Sequence, residues 1–312
     1  MKTSDFTLIF FVVWLLLFSE NSAAFQQLVK APITNGSQLK TNIIGKNEAE
    51  NQRALLHAAR IGNLSELETL LNQGVSPDSR SKDIAGRSAL IVAAIAGHAK
   101  IIKMLLESGA TVDDKDKNGL SALSWAVIRG QTEAVTALLN KGADINTRDK
   151  DGVSPVLYAI GVRKLLIVNL LVTNNADLEV LSYKNKMTPL LLAVENKDLE
   201  SMKILIDNGA KVNGKNQDNF TPLMAAAEKG HFESIMMLLS VGAEINARDN
   251  KGLTALNYAA DKQHFSTIKL LLAKGANLNT KDANARTPLM RATLQGYHQV
   301  INILQDKVLK NN

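Results

Sequence analysis

Five histidines and a set of aspartates are the residues with which this chain could do chemistry. The histidines are His57, His98, His231, His264 and His298. Imidazoles beside carboxylates serve as general acids and bases or hold divalent metal ions. Their spacing argues against both roles. His98, His231 and His264 directly follow Gly97, Gly230 and Gln263 at one recurring position, and Asp116, Asp149, Asp249 and Asp282 recur at another. Repetition at fixed positions marks framework side chains that hydrogen-bond a turn. Packed helices lie about 10 Å apart, so carboxylates at one position of successive units do not form a catalytic pair. The sequence holds no nucleophile elbow, phosphate-binding Gly loop or H-E-x-x-H. It also holds no cysteine, which excludes disulfides, thiolate metal sites and a thiol nucleophile. The reading is a protein that is not an enzyme, with no cofactor, metal or small-molecule substrate.

What positions these residues is a short apolar block that recurs eight times. Aligned on its Leu or equivalent, it gives Leu55, Leu90, Leu123, Val156, Leu190, Leu223, Leu256 and Leu289, at steps of 35, 33, 33, 34, 33, 33 and 33 residues. So regular a period predicts a stack of near-identical units, not a globule around one pocket. Residues 216–248 show how one unit is built. Asn216 to Asn219 are turn formers. Thr221 can cap a helix that has Pro222 at its first position, where the missing amide proton costs nothing. Leu223, Ala226 and Ala227 follow at helical spacing, and Gly230 ends the helix. A second helix runs through Ile235, Met236, Leu238 and Leu239 to Gly242-Ala243. Aromatic residues are only 4% of the chain, as thin helices packed on small and aliphatic side chains require.

These residues resemble the ankyrin repeat. Gly142-Ala143-Asp144-Ile145-Asn146, Gly209-Ala210-Lys211-Val212-Asn213 and Gly275-Ala276-Asn277-Leu278-Asn279 fall in register with its pattern, as do Thr221-Pro222-Leu223 and Thr287-Pro288-Leu289. The resemblance implies an all-α repeat solenoid of about eight units in a curved stack. Each unit would be two antiparallel helices plus a β-hairpin-like loop. The array is placed at 50–308, with repeats at about 50–82, 83–115, 116–148, 149–181, 182–215, 216–248, 249–281 and 282–308 and a tail at 309–312. Because a unit cannot bury its apolar face alone, the ends need polar sides. Asn51, Gln52, Arg53 and Arg60 fit that need at the start, and Gln305-Asp306-Lys307 after Ile303-Leu304 at the end.

Ahead of the array, an apolar run from Phe6 to Phe18 is interrupted only by Thr7 and followed by Ser22-Ala23-Ala24. It is short of the ~20 residues needed to span a bilayer. A secretory signal over 1–24, cut after Ala24, is expected, followed by a flexible polar leader at 25–49. Membrane contact would be through that transient signal alone. Without residues 1–24 the 36 basic and 30 acidic residues become 35 and 28, a net charge of +7. The charges are mixed through every repeat with no dense basic block, so no nucleic-acid partner is expected.

The family resemblance implies that a protein partner is held by loop tips and inner helices. The residue before each Thr/Ser of the recurring block would face that concave side, and it reads Arg87, Leu120, Val153, Met187, Phe220, Leu253 and Arg286. An apolar track flanked by arginines is the candidate partner-binding surface; local packing is the competing explanation. Repeats 4 and 5 depart most from the pattern. Arg163 and Lys197 replace the Gly between helices, Asn175 replaces the later Gly, and one residue is added near Leu181-Ser182. This centre is expected to be the least stable part. The sequence reads as an exported, monomeric interaction module of a bacterium, periplasmic or secreted. Alternatives are a secreted effector acting on a host protein and a protein binding anionic lipid at the envelope surface.

Overall fold

The computed structural model describes residues 48–82, 85–182 and 186–311. The signal and leader expected at 1–24 and 25–49 lie almost wholly outside them. Sixteen helices follow one another in pairs among the described residues. The inner helices are α1 Glu48–Ile61, α3 Ala89–Ala96, α5 Ala122–Arg129, α7 Pro155–Gly161, α9 Pro189–Glu195, α11 Pro222–Lys229, α13 Ala255–Asp261 and α15 Pro288–Gln295. Each is followed by its outer partner: α2 Leu64–Asn72, α4 Ala99–Glu107, α6 Thr132–Asn140, α8 Leu165–Thr173, α10 Leu199–Asp207, α12 Phe232–Ser240, α14 Phe265–Ala273 and α16 His298–Asn311. Inner helices pack on the next inner helix throughout, and outer helices on the next outer in most repeats, so the core runs the length of the stack.

The recurring block explains each inner helix. Ser88, Ser121, Thr188, Thr221 and Thr287 are extended N-caps whose side chains accept the amide three residues on. Such a cap contributes about 1 kcal/mol. Pro155, Pro189, Pro222 and Pro288 occupy the first helical turn. The Leu of the block, from Leu55 through Leu256, is at most 2% exposed in repeats 1–7. Burying one such side chain fully is worth about 1.5–3 kcal/mol.

Every residue with positive φ among those described falls in one of three columns. One precedes the cap by two residues, one separates the paired helices, and one follows the outer helix. Glycine fills most places, but Arg163 (φ 54°), Asn175 (65°), Lys186 (50°) and Lys197 (52°) occupy four successive ones. The left-handed geometry is therefore kept in repeats 4 and 5 without the residue that adopts it freely, at about 1–2 kcal/mol for each non-Gly side chain.

The loops are joined across repeats by a ladder. Asp78, Asp113, Asn146, Glu179, Asn213 and Asn246 accept the backbone amides of Thr111, Asp144, Asp177, Lys211, Glu244 and Asn277 at 2.8–2.9 Å. At the end of repeat 4 the longer Glu179 does the work of Asn or Asp, reaching Lys211 across the residue added in repeat 5. The hairpin-like loop is less regular than expected: among the described residues, pairing amounts to two isolated antiparallel bridges, Arg80 with Ser88 and Lys115 with Ser121.

The two ends differ. Glu66 and Thr69 give the first repeat its polar side, where the second repeat has Ile101 and Met104. In the eighth repeat the polar cap is confined to the outer helix, where Gln305 and Asp306 are exposed. On α15, Met290 and Leu294 are 52% and 69% exposed, so the expected polar end is only half present.

Candidate partner-binding surface

The row from Arg87 to Arg286 sits where each loop meets its inner helix, and the structure narrows it. Leu120 and Leu253 are only 5% and 6% exposed and offer little to a partner. Val153, Met187 and Phe220 are half-buried, resting on the core while keeping one side open. The expected run of five apolar contacts is thereby reduced to three, in consecutive repeats 4–6. Two members wedge against the next repeat. Arg87 places its guanidinium 4.7 Å from the centre of the Trp125 ring, and Phe220 meets Tyr258 edge-on at 5.1 Å between centroids. Arg286 lies beside Asp282, with 2.9 Å between their charged atoms.

The aspartates are structural. Oδ1 of Asp116 accepts the amides of Asn118 and Leu120, while Oδ2 accepts the indole N–H of Trp125 at 3.0 Å. The same geometry recurs nine residues apart from Asp149 to the Tyr158 hydroxyl, from Asp249 to the Tyr258 hydroxyl at 2.7 Å, and from Asp282 to Arg291 at 2.8 Å. Where the later residue is apolar, as at Ala225, the earlier one is Asn216 and serves the turn alone. Burial, with Asp149 beside it, drives the Tyr158 hydroxyl far above the usual tyrosine range. Burial and the Asp249 hydrogen bond do the same to Tyr258. At Asp282, burial would raise the carboxyl. The Arg286 amide and the guanidinium groups of Arg286 and Arg291 outweigh that and hold it well below the usual carboxylate range.

The three histidines at the recurring position are framework side chains, and they reach into the preceding repeat. His98 Nε2, His231 Nδ1 and His264 Nε2 lie 2.9–3.0 Å from the carbonyls of Arg60, Val194 and Glu228, at the ends of α1, α9 and α11. A ring nitrogen can only donate to a carbonyl, which fixes where the proton sits. Gln131 and Asn196 donate likewise to Ile95 and Ile160. Burial lowers the His231 pKa, consistent with a neutral ring. Among the described residues no group of three histidines or carboxylates is arranged to hold a metal ion.

A second charged row was not anticipated. Glu195, Glu228 and Asp261 occupy one position at the ends of α9, α11 and α13. They pair with Lys229 at 2.9 Å, Lys262 at 3.7 Å and Arg291, each from the following repeat. The equivalent residues in repeats 2 and 3 are Ile95 and Ile128, so the charged row is confined to repeats 5–7. The even spacing of 195, 228 and 261 was the available signal. Burial raises the Glu195 pKa despite Lys229 alongside. Such an arrangement can recognise a shape and a charge pattern.

A family model described as ankyrin repeats (3 copies) matches residues 15–116, 108–182, 157–249 and 241–312. Ankyrin repeat domain-containing protein 29 of Danio rerio is 40% identical over 68 residues, which are 22% of this chain and 22% of that protein. The match thus spans about a fifth of that relative's length. Among solved structures, the ankyrin repeat domain of Bcl-3, a member of the IkappaB protein family, superposes with a TM-score of 0.63 at 25% identity. It covers 72% of this chain and 99% of that one. The human ASB11 ankyrin repeat domain gives 0.59 at 31% identity, covering 72% and 98%.

Proposed function

Since the chain belongs to the ankyrin repeat family, whose arrays are protein–protein interaction modules, we propose that it binds a protein partner through the loop tips and inner helices of repeats 4–6. One observation carries this reading. Val153, Met187 and Phe220 present half-open apolar side chains at one position of three successive repeats, while the neighbouring aspartates and histidines are spent on the framework. Apolar contacts at regular spacing, beside the ordered charges of Glu195 and Glu228, suit a partner surface laid along the stack. Of the arginines at the ends of the row, Arg87 stacks on Trp125 of the next repeat and Arg286 pairs with Asp282 of its own.

Export belongs to the same proposal and is supported by the apolar run Phe6–Phe18 and the small residues ending at Ala24. The array then works in the periplasm or, as an effector acting on a host protein, after release. Fractionating cells that express the full chain tests this. A mature N-terminus at Phe25 in the periplasm or medium is expected; an intact chain in the cytoplasm overturns export. For binding, partners captured from the envelope or medium by wild type are compared with those captured by Val153→Gln/Met187→Gln. The double variant should lose a specific partner while its helical content stays unchanged. Equal capture would remove these residues from the site.

A further inference from the structure

The fold sorts charges that alternate in the sequence. The seven segments leading into the caps, 80–87, 115–120, 148–153, 181–187, 215–220, 248–253 and 281–286, hold 14 basic and 7 acidic residues. Residues 48–312 hold 32 and 28, so 18 basic and 21 acidic residues remain outside those segments. The positive excess of the array therefore lies wholly in its loops. Within a loop the signs alternate, as in Lys115-Asp116-Lys117 and Arg148-Asp149-Lys150, and the structure turns them opposite ways. Asp116, Asp249 and Asp282 are 5%, 9% and 6% exposed, each bonded to the residue nine places on. Lys115, Lys117, Lys150, Lys215, Lys251 and Lys281 stand exposed.

One column of cations runs along the stack. Arg80, Lys115, Arg148, Lys215, Arg248 and Lys281 share a position, and the row is broken only at Leu181 in the loop before α9. Arg80, Lys115, Arg148 and Arg248 donate to the backbone carbonyls of Lys115, Arg148, Leu181 and Lys281, each the next member along. A carbonyl holds a cation in place without cancelling its charge, so less side-chain freedom is lost when an anion docks. Arg80 differs, since Asp114 pairs with it. Between the last two loops the row opens on a polar hollow lined by Asn246, Arg248, Asn279, Thr280 and Lys281. Its one acid, Asp282, is already bonded to Arg286 and Arg291.

The complement of such a row is a line of carboxylates. Packed units lie about 10 Å apart, and an extended chain advances about 3.3 Å per residue. An acid at every third place of an extended segment thus meets the row unit by unit. At the same loops Val153, Met187 and Phe220 keep open apolar sides, which suit the side chains of a peptide and not a sugar-phosphate backbone. Residues 1–47 hold four basic and two acidic residues, so the complement comes from another chain. Resting on the reading that the array binds a protein, we propose that its partner presents an extended acidic segment. That segment, with a carboxylate at about every third place, lies along the loop tips of repeats 3–8.

Fluorescence anisotropy with the full chain tests this. The probes are a labelled peptide of about 18 residues with Asp at every third place, and a copy with Asn there. Wild type should bind the first and not the second, and binding should weaken steeply between about 50 and about 300 mM salt. Lys117→Gln/Lys150→Gln/Lys215→Gln/Lys251→Gln should weaken it about tenfold. The same charge removed from outer helices, by Lys100→Gln/Lys103→Gln/Lys203→Gln/Lys269→Gln, should change it less than about twofold. All of these lysines are exposed, so both variants should keep the wild-type circular dichroism. No binding by about 100 μM, equal binding of the Asn copy, or equal loss in the two variants overturns the proposal. So does tighter binding of a thymidine oligonucleotide of equal charge, or of phosphatidylglycerol vesicles, through the same loop lysines. Any of these, with partner capture still dependent on Val153 and Met187, removes the acidic segment and leaves protein binding standing.

Discussion

Trp125 donates its indole N–H to Oδ2 of Asp116 at 3.0 Å, while the other oxygen of that carboxylate holds the amides of the turn that leads into α5. One buried side chain thus ties a loop to the helix it introduces. Asp116→Ala leaves the indole and two amides without acceptors, and buried donors left unsatisfied cost about 1–3 kcal/mol each. Urea unfolding followed by circular dichroism should show a loss of at least about 2 kcal/mol. Trp125→Phe should cost less in the Asp116→Ala background than in wild type. Equal costs in the two backgrounds would mean that the pair does not couple.

Tyr158 and Tyr258 set an alkaline limit. Their folded pKa values lie above that of a free tyrosine, about 10. Below about pH 10 both states keep the proton and the contribution is fully present. Above it the unfolded chain ionises while the folded one does not, so stability falls as pH rises. Tyr258→Phe should flatten that fall between about pH 10 and 11, at a cost of about 1–3 kcal/mol at pH 7 for the Asp249 oxygen it strands. An unaltered alkaline slope in the variant would contradict this.

Two carboxylates should respond to acid with opposite signs. Asp282, with its pKa depressed, stabilises the fold above about pH 4 and loses that contribution as pH falls. Glu195, with its pKa raised, favours the fold below about pH 4.3 and loses that contribution as pH rises through its folded value. Relative to wild type, Glu195→Gln should gain stability between pH 4 and 7, and Asp282→Asn should lose it over the same range. Denaturation midpoints measured across that range should diverge; parallel curves would remove the assignment.

Much of this was legible in advance, and the part that was not has a common cause. The Thr-Pro-Leu blocks and the spaced glycines state their local roles, so the helix pairs and their order follow from one repeat at a time. The burial of Leu120 and Leu253 depends on packing that a single repeat does not display. The pairing of Glu195 with Lys229 and the reach of His264 to Glu228 likewise join residues about one period apart. Val153, Met187 and Phe220 kept their place in the candidate site because their exposure differs by degree; nothing in residue type separated them from the two buried leucines.

The four successive left-handed residues in repeats 4 and 5 should be improvable. Lys197→Gly removes side-chain strain of about 1–2 kcal/mol, against an unfolded-state entropy cost of about 1 kcal/mol or less. It also gives up an exposed pair with Glu233 that contributes little. A net change from zero to about +1 kcal/mol is expected. Gly230→Ala, at φ 69° with the His264 ring 2.8 Å from the added methyl carbon, should instead destabilise by about 1–3 kcal/mol. Hydrogen exchange should find α8 and α9 opening before α11 and α13. Equal protection would show that the strain is absorbed elsewhere.

The reach of His98, His231 and His264 into the preceding repeat gives the array an arrow. Each inner-helix end they serve is finished by the unit that comes after it, so completion travels towards the C-terminus. Cutting units away from the front leaves an imidazole with nothing to hold, a small loss that water makes good. Cutting them from the back exposes the end of a helix that had been closed. Shortened versions of this chain with equal numbers of repeats should therefore differ in durability according to which end was trimmed.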